Sequence, residues 1–139
     1  MTDKPSLNPL VALTQQTMSE VNKVILDRLH SDVSLIPQLA GHLIAAGGKR
    51  LRPMLCIAAS MASSKNTNTS PESALYLAAS VEFIHNATLL HDDVIDSSDQ
   101  RRGKQTANAV WGNEASVLVG DFLFACAFQL MVETNDIWV

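Results

Sequence analysis

The chain has 139 residues, 47% of them hydrophobic, with five prolines and six glycines, enough to bury one domain-sized core and too apolar for a disordered tail. Its formal charge of -4 comes from ten basic and fourteen acidic residues, and no basic run is long enough to neutralise several nucleic-acid phosphates, which argues against a nucleic-acid partner. The N-terminal MTDKPSLNPL lacks the basic and apolar halves of a signal peptide, and no apolar run approaches the roughly 18 residues of a membrane-spanning helix, so a soluble, cytoplasmic protein is expected.

No two-residue alternation marks a strand, and helical periodicity dominates, which predicts an all-α array of antiparallel helices with residues 1–139 in one domain. The first helix is expected to start near NPL, with Asn8 as cap and Pro9 in the first turn. Its inner stripe is Leu10, Leu13, Thr17, Val21, Val24 and Ile25, and it ends near His30. A second helix follows Ser34, turns Leu35, Leu39, Leu43 and Ala46 inward, and stops at Gly47 and Gly48, where a left-handed terminus costs little. A third begins at Pro53 and runs through MLCIAASMASS. The polar SKNTNTS reads as a surface loop.

Ser70 and Pro71 form a cap and first-turn pair for a long helix that continues without a breaker through ESALYLAASVEFIHNATLLHDDVID. A further turn is expected around TANAVWG. After Gly112, NEASVLVGDFLFACAFQLMVE reads as a final helix, apolar nearly all round and so buried on most sides. Cys56 and Cys126 lie in apolar stretches, match no disulfide framework or zinc site, and read as buried thiols in a reducing compartment.

The long helix ends in HNATLLHDDVIDSSDQRRGK. On a helix, His85, Thr88, Asp92 and Asp96 share a stripe, with Asp93 close beside it, so the carboxylates are expected to converge. Like charges at this spacing destabilise a helix by about 0.2–0.5 kcal/mol per pair, so something cationic should offset them. An Asp-rich helix end is usually just a solvated surface. Here it follows an apolar helix without an intervening loop, shares a stripe with His85, and is followed at once by Arg101 and Arg102. Such carboxylates suit Mg²⁺, which keeps several waters and is commonly shared between one or two carboxylates and substrate phosphates; calcium fits less well, because the spacing is not that of a calcium loop. A second basic cluster, GGKRLRP, places Lys49, Arg50 and Arg52 after a glycine pair, a weak anion-site signal alone. Together the two clusters suggest metal-bound phosphate on one side and directly bound phosphate on the other.

GGKRLRP, EFIHNATLLHDDVIDSSDQRRGKQTAN and GNEASVLVGDFLFACAFQLM, in that order, closely resemble the trans-polyprenyl diphosphate synthases, particularly the long-chain octaprenyl type, over nearly the whole chain. The resemblance implies an antiparallel helical bundle of the isoprenoid synthase type. It implies a Mg²⁺-dependent prenyltransferase that condenses isopentenyl diphosphate with an allylic diphosphate, such as farnesyl diphosphate, repeatedly and with trans geometry. Asp92, Asp93 and Asp96 match the first aspartate-rich motif, which holds Mg²⁺ against the allylic diphosphate, and Arg101 matches a residue that grips the same group. Lys49, Arg52, His85 and Arg102 match positions that bind isopentenyl diphosphate; no contact carries over to Arg50.

In this family, bulky aromatics four and five residues before the motif form a floor that limits chain growth. Thr88 and Ala87 stand there, which predicts a product longer than farnesyl diphosphate. Phe128 is a candidate for a deeper stop, although ordinary core packing is the simpler reading. Asn86 replaces a frequent threonine and is expected to face away from the aspartates. Family members are more than twice this length and carry a second aspartate-rich motif, whereas the chain stops at Val139 without it. It is therefore expected to correspond to the N-terminal part of a single synthase domain, with an abrupt end at ETNDIWV that looks like a truncation and little or no turnover. The family's usual state is a homodimer. A non-catalytic regulatory or binding subunit that dimerises with a complete synthase is the alternative, and retention of all three aspartates argues against it. A carboxylate-bridged metal pair in a four-helix bundle is disfavoured because the Glu-x-x-His repeats are missing.

Overall fold

The computed structural model of the protein describes residues 6–45, 48–63 and 71–138. Its helices are α1 (Asn8–Arg28), α2 (Leu35–Ala45), α3 (Leu51–Ser63), α4 (Pro71–Ile95), α5 (Ala107–Trp111) and α6 (Asn113–Glu133), with a hairpin of β1 (Gln100–Arg101) and β2 (Lys104–Gln105) between α4 and α5. The all-α expectation holds, since the hairpin has two residues on each strand.

In α1, Pro9 lies in the first turn, where its missing N–H leaves no helical bond unmade. Asn8 is not the cap: it is the first helical residue, Leu7 holds the cap position, and Ser6 Oγ accepts the Asn8 N–H at 3.2 Å. The buried stripe is Thr14, Met18, Val21 and Ile25, with Leu10 and Val24 beside it. Leu13, expected inside, is 62% exposed. Thr14 can take the inner place because its hydroxyl donates to the Leu10 carbonyl at 2.8 Å, which satisfies the buried oxygen.

Helix α2 buries Leu39 and Ala40, with Leu35 and Leu43 against the core. Ala46 and Gly47, read as the end of this helix, lie outside the described residues, as do the loop at 64–70 and the Ser70 cap. Helix α3 starts two residues earlier than expected, so Pro53 is buried within its first turn. The Arg50 carbonyl accepts the Met54 N–H at 3.2 Å, and Arg50 is left-handed, with φ 45°.

Helix α4 runs unbroken for 25 residues and packs on α6, α3 and α1. Small residues are buried where α4 and α6 meet: Ser80 on one helix, Ser116, Gly120 and Ala127 on the other. Polar atoms in this seam are satisfied across it. Ser116 Oγ donates to the Leu90 carbonyl at 3.2 Å, and Ser80 Oγ lies 3.2 Å from the Ala127 carbonyl. These pairings match late α4 with early α6, so the two helices are antiparallel. Leu90, Leu123 and Leu130 are buried on these two helices, each stabilising the fold by about 1.5–3 kcal/mol on burial.

Two expectations about α6 need correction. Only its inner face is buried; Leu118, Phe128 and Val132 are 66%, 60% and 76% exposed. The helix is also 21 residues long and holds an 18-residue stretch of mean hydropathy 1.9, so one helix among the described residues does reach the length and apolarity of a membrane span. Its packing against α4 accounts for the apolarity of the inner face. Cys126 is buried and Cys56 only half-buried, and both are free thiols. Burial raises the pKa of each, so they are poor nucleophiles.

Candidate functional site

The end of α4 divides the three aspartates. Asp92 and Asp96 are exposed and one turn apart, and the Asp96 N–H donates to the Asp92 carbonyl at 2.8 Å as the last turn closes. Asp93 is only 4% exposed and is held by Arg101. Arg101 Nη2 donates to Asp93 Oδ1 at 2.7 Å, and Nε lies 3.2 Å and 3.3 Å from the two carboxylate oxygens. The expected convergence of three carboxylates is therefore not the arrangement observed. Among the described residues no group of three or more His, Cys, Asp or Glu is gathered to hold a metal. Asp92 and Asp96 still suit Mg²⁺, whose usual demand is one or two carboxylates with the remaining positions filled by water and phosphate oxygens.

Arg101 reaches Asp93 because of the hairpin. Arg101 pairs with Lys104 across a two-residue turn, Arg102-Gly103, whose φ angles of 53° and 77° are both left-handed, the primed geometry that matches strand twist. Strands of two residues are too short to show alternation, so the element escaped the sequence reading; the glycine at the second turn position was its signal. The Thr106 hydroxyl donates to the Ser98 carbonyl at 2.7 Å, and Asn108 Nδ2 donates to the same carbonyl at 3.1 Å. Asn108, assigned no role from sequence, thus braces the segment that follows the aspartates. The hydrogen bond to Asp93, with the carboxylates of Asp93, Asp92 and Asp96 nearby, keeps the Arg101 guanidinium above its ordinary pKa and fully charged.

Beside this pair opens a cavity of about 210 Å³. Arg50, Arg52, His85, Arg101 and Arg102 line it, with Glu82 the one carboxylate among its lining residues. Its apolar lining includes Ile25, Leu29, Leu43, Phe83, Leu89 and Leu123. Arg52, His85 and Arg102, expected on one substrate, come together here from α3, α4 and the hairpin, and Arg101, expected on the other, joins them. Lys49 is exposed and does not line the cavity. Arg50, which carried no expected contact, does line it, and its Nη1 donates to Asn22 Oδ1 on α1 at 2.6 Å. Arg102 Nη1 comes within 3.8 Å of where a Cβ on Gly48 would stand, so the hairpin meets the glycine turn. Asn86, expected to face away from the aspartates, is a lining residue, with Nδ2 donating to the Glu82 carbonyl at 2.8 Å. Burial lowers the His85 pKa, and Arg52, Arg101 and Arg102 push the same way against Glu82.

Neither of the small residues before the aspartates lines the cavity. Ala87 is fully buried in the core, and Thr88 is half-buried with its hydroxyl donating to the His85 carbonyl at 2.8 Å. Phe128 is not packed in the core; it stands on the outer face of α6.

A family profile described as Polyprenyl synthetase matches residues 33–139. The octaprenyl diphosphate synthase of Escherichia coli (strain K12) is 50% identical over 134 residues, covering 96% of this chain and 40% of the relative. The all-trans-nonaprenyl-diphosphate synthase (geranyl-diphosphate specific) of Rhodobacter capsulatus is 42% identical over 91% of this chain and 38% of its own length. Among solved structures, a polyprenyl synthase from Caulobacter crescentus CB15, complexed with calcium and isoprenyl diphosphate, superposes with a TM-score of 0.89 at 54% identity, covering 99% of this chain and 41% of that one. The chain thus spans about 40% of the length of such relatives. A cationic cavity beside an aspartate-bearing helix end, within this fold and at these identities, places the chain in the polyprenyl synthetase family.

Proposed function

We propose that this chain forms the diphosphate-binding part of a trans-polyprenyl diphosphate synthase, a prenyltransferase that extends an allylic diphosphate with isopentenyl diphosphate to a long-chain product. The observation that carries the reading is the placing of Arg52, His85, Arg101 and Arg102 around one cavity, with exposed Asp92 and Asp96 on the helix that Arg101 clamps. Arg52, Arg102 and His85 bind the diphosphate of the isopentenyl unit, with Lys49 reaching in from the exposed rim. Arg101 exchanges part of its Asp93 contact for the allylic diphosphate, so it joins the two substrates. Asp92 and Asp96 would hold Mg²⁺, with Asp93 available once Arg101 has turned to the diphosphate. The ion's contribution is to neutralise charge on the departing diphosphate. The guanidinium groups stabilise that same charge, and the apolar lining from Ile25, Leu29, Phe83 and Leu123 keeps water from the allylic cation.

A long, octaprenyl-like product follows from the similarity to octaprenyl and nonaprenyl synthases and from the absence of an aromatic at Ala87 or Thr88; Phe128, exposed on the outer face of α6, gives no support to a deeper stop. A homodimer formed through the outer face of α6 and a cytoplasmic location complete the proposal. The non-catalytic subunit reading is weaker, because it gives no reason for a cationic cavity and exposed aspartates in one place.

Because the chain spans about 40% of its relatives' length, the test reads binding. Titration with inorganic pyrophosphate is expected to show affinity that depends on Mg²⁺. Asp92→Asn and Asp96→Asn should each remove most of that dependence, and Arg52→Ala should weaken binding by about 10- to 100-fold, the range of a charge-assisted hydrogen bond. Pyrophosphate binding that ignores Mg²⁺, Asp92→Asn and Arg52→Ala alike would overturn the reading.

A further inference from the structure

The hairpin bearing Arg101 and Arg102 has two paired residues on each strand, and ribbons this short do not hold a shape unaided. Several ties of the hairpin and its flank return to the end of α4 and the segment directly after it: the Arg101 pair with Asp93, and the Thr106 and Asn108 bonds to the Ser98 carbonyl. The outgoing strand β2 has a tie from elsewhere in the chain. His42 on α2 places Nε2 2.8 Å from the Gln105 carbonyl oxygen. Its ring meets Trp111 of α5 edge-on, with centroids 5.1 Å apart and planes at 81°. A carbonyl only accepts, so His42 Nε2 carries the hydrogen. Trp111 fixes the ring that makes the bond, and edge-to-face aromatic pairs of this kind are mutually attractive.

We infer that His42 is a positioning residue that latches the arginine hairpin to α2 and thereby holds Arg101 and Arg102 at the cavity. Helix α2 also lines that cavity through Ala40 and Leu43. The latch therefore sets the cationic lining against the apolar one, and one bond fixes the spacing between diphosphate and hydrocarbon. Neither His42 nor Trp111 lines the cavity, so the effect passes through the hairpin backbone. The inference rests on the reading that Arg101 and Arg102 bind diphosphate.

The test compares the full chain with His42→Phe, which keeps a ring for Trp111 but has no donor, and His42→Gln, which keeps an N–H donor. Amide exchange across residues 100–105 and titration with inorganic pyrophosphate in the presence of Mg²⁺ are the readouts. In His42→Phe the hairpin amides are expected to exchange faster and pyrophosphate to bind about three- to tenfold more weakly, the effect of one ordinary hydrogen bond; His42→Gln should recover most of both. A lowered melting temperature with wild-type pyrophosphate affinity would overturn the latch and leave His42 a purely structural residue. Should His42→Phe not fold, Trp111→Leu loosens the ring while leaving the donor in place, and wild-type affinity there overturns the latch equally. Failure of the wild-type chain to bind pyrophosphate would instead overturn the diphosphate reading itself, and the inference with it.

Discussion

Burial opposes protonation of His85, Arg52, Arg101 and Arg102 add to it, and Glu82 offsets them only in part, so the folded pKa lies below the usual 6.5. Between that lowered value and 6.5 the unfolded chain binds more protons than the folded one. The stability His85 contributes is therefore complete above 6.5 and is lost as the pH falls through this window. Urea unfolding at pH 7.5 and pH 5 should show a larger acid loss in the wild type than in His85→Gln; equal losses would mean that His85 is not the group responsible. The aspartates divide in the same residue-by-residue way. Asp93→Asn removes the carboxylate that holds Arg101 and should cost about 1.5–3 kcal/mol of stability. Asp92→Asn and Asp96→Asn alter exposed groups and should leave the melting temperature within a degree or two while affecting Mg²⁺-dependent binding. A Asp93→Asn chain as stable as the wild type would show that the Arg101 pair does not hold the hairpin.

Between elements, a tight contact of α4 with α6 lies at His91, directly before Asp92. A Cβ on Gly120 would stand 2.6 Å from His91 Cδ2 and nearer still to Nε2. The ring is held there with Nε2 3.2 Å from the Val117 carbonyl and 3.5 Å from Asp121 Oδ1, and it leans on Phe124. A glycine inside a helix costs about 1 kcal/mol relative to alanine, so Gly120 is explained by the ring that occupies its place. Gly120→Ala regains that amount but forces overpacking of about 1–3 kcal/mol, and should be less stable overall. Adding His91→Ala should restore stability, and a thermal-denaturation double-mutant cycle with no coupling would refute the contact. Helix α1 teaches the complementary lesson. Its period was legible in the sequence, and Leu10, Val21, Val24 and Ile25 lie on the expected face, but Thr14 and Met18 take the inner places expected of Leu13 and Thr17, because Thr14 satisfies its own hydroxyl and Leu13 points outward.

Across the whole molecule, Leu118, Phe128 and Val132 form an exposed apolar stripe along α6, larger in extent than scattered surface leucines and of the kind that marks an interface. The chain should self-associate in light scattering at micromolar concentration. Phe128→Asp with Val132→Asp should shift it toward monomer without lowering helicity, whereas an unchanged mass would remove the α6 face from the proposed homodimer. Next to Val132, Arg28 and Glu133 form a bidentate ion pair that ties the end of α1 to the end of α6. Being exposed, it adds little to stability.

Local chemistry determined the helices, their ends to within two residues, and the inventory of the site: periodicity is a property of neighbours in sequence, and motifs such as GGKRLRP and HDDVIDSSDQRRGK are contiguous. The turn chemistry of Arg102-Gly103 was legible too, in retrospect, though its strands were too short to announce themselves. Tertiary structure alone decided which groups meet. The same aspartate-rich run that reads as three equal carboxylates becomes one buried partner for Arg101 and two exposed carboxylates, and Asn86 and Arg50 join the cavity while Ala87 goes into the core. The reason is that burial and pairing depend on which distant helix faces a residue, and a helix with apolar atoms on every side carries no local mark of the face its neighbour will choose.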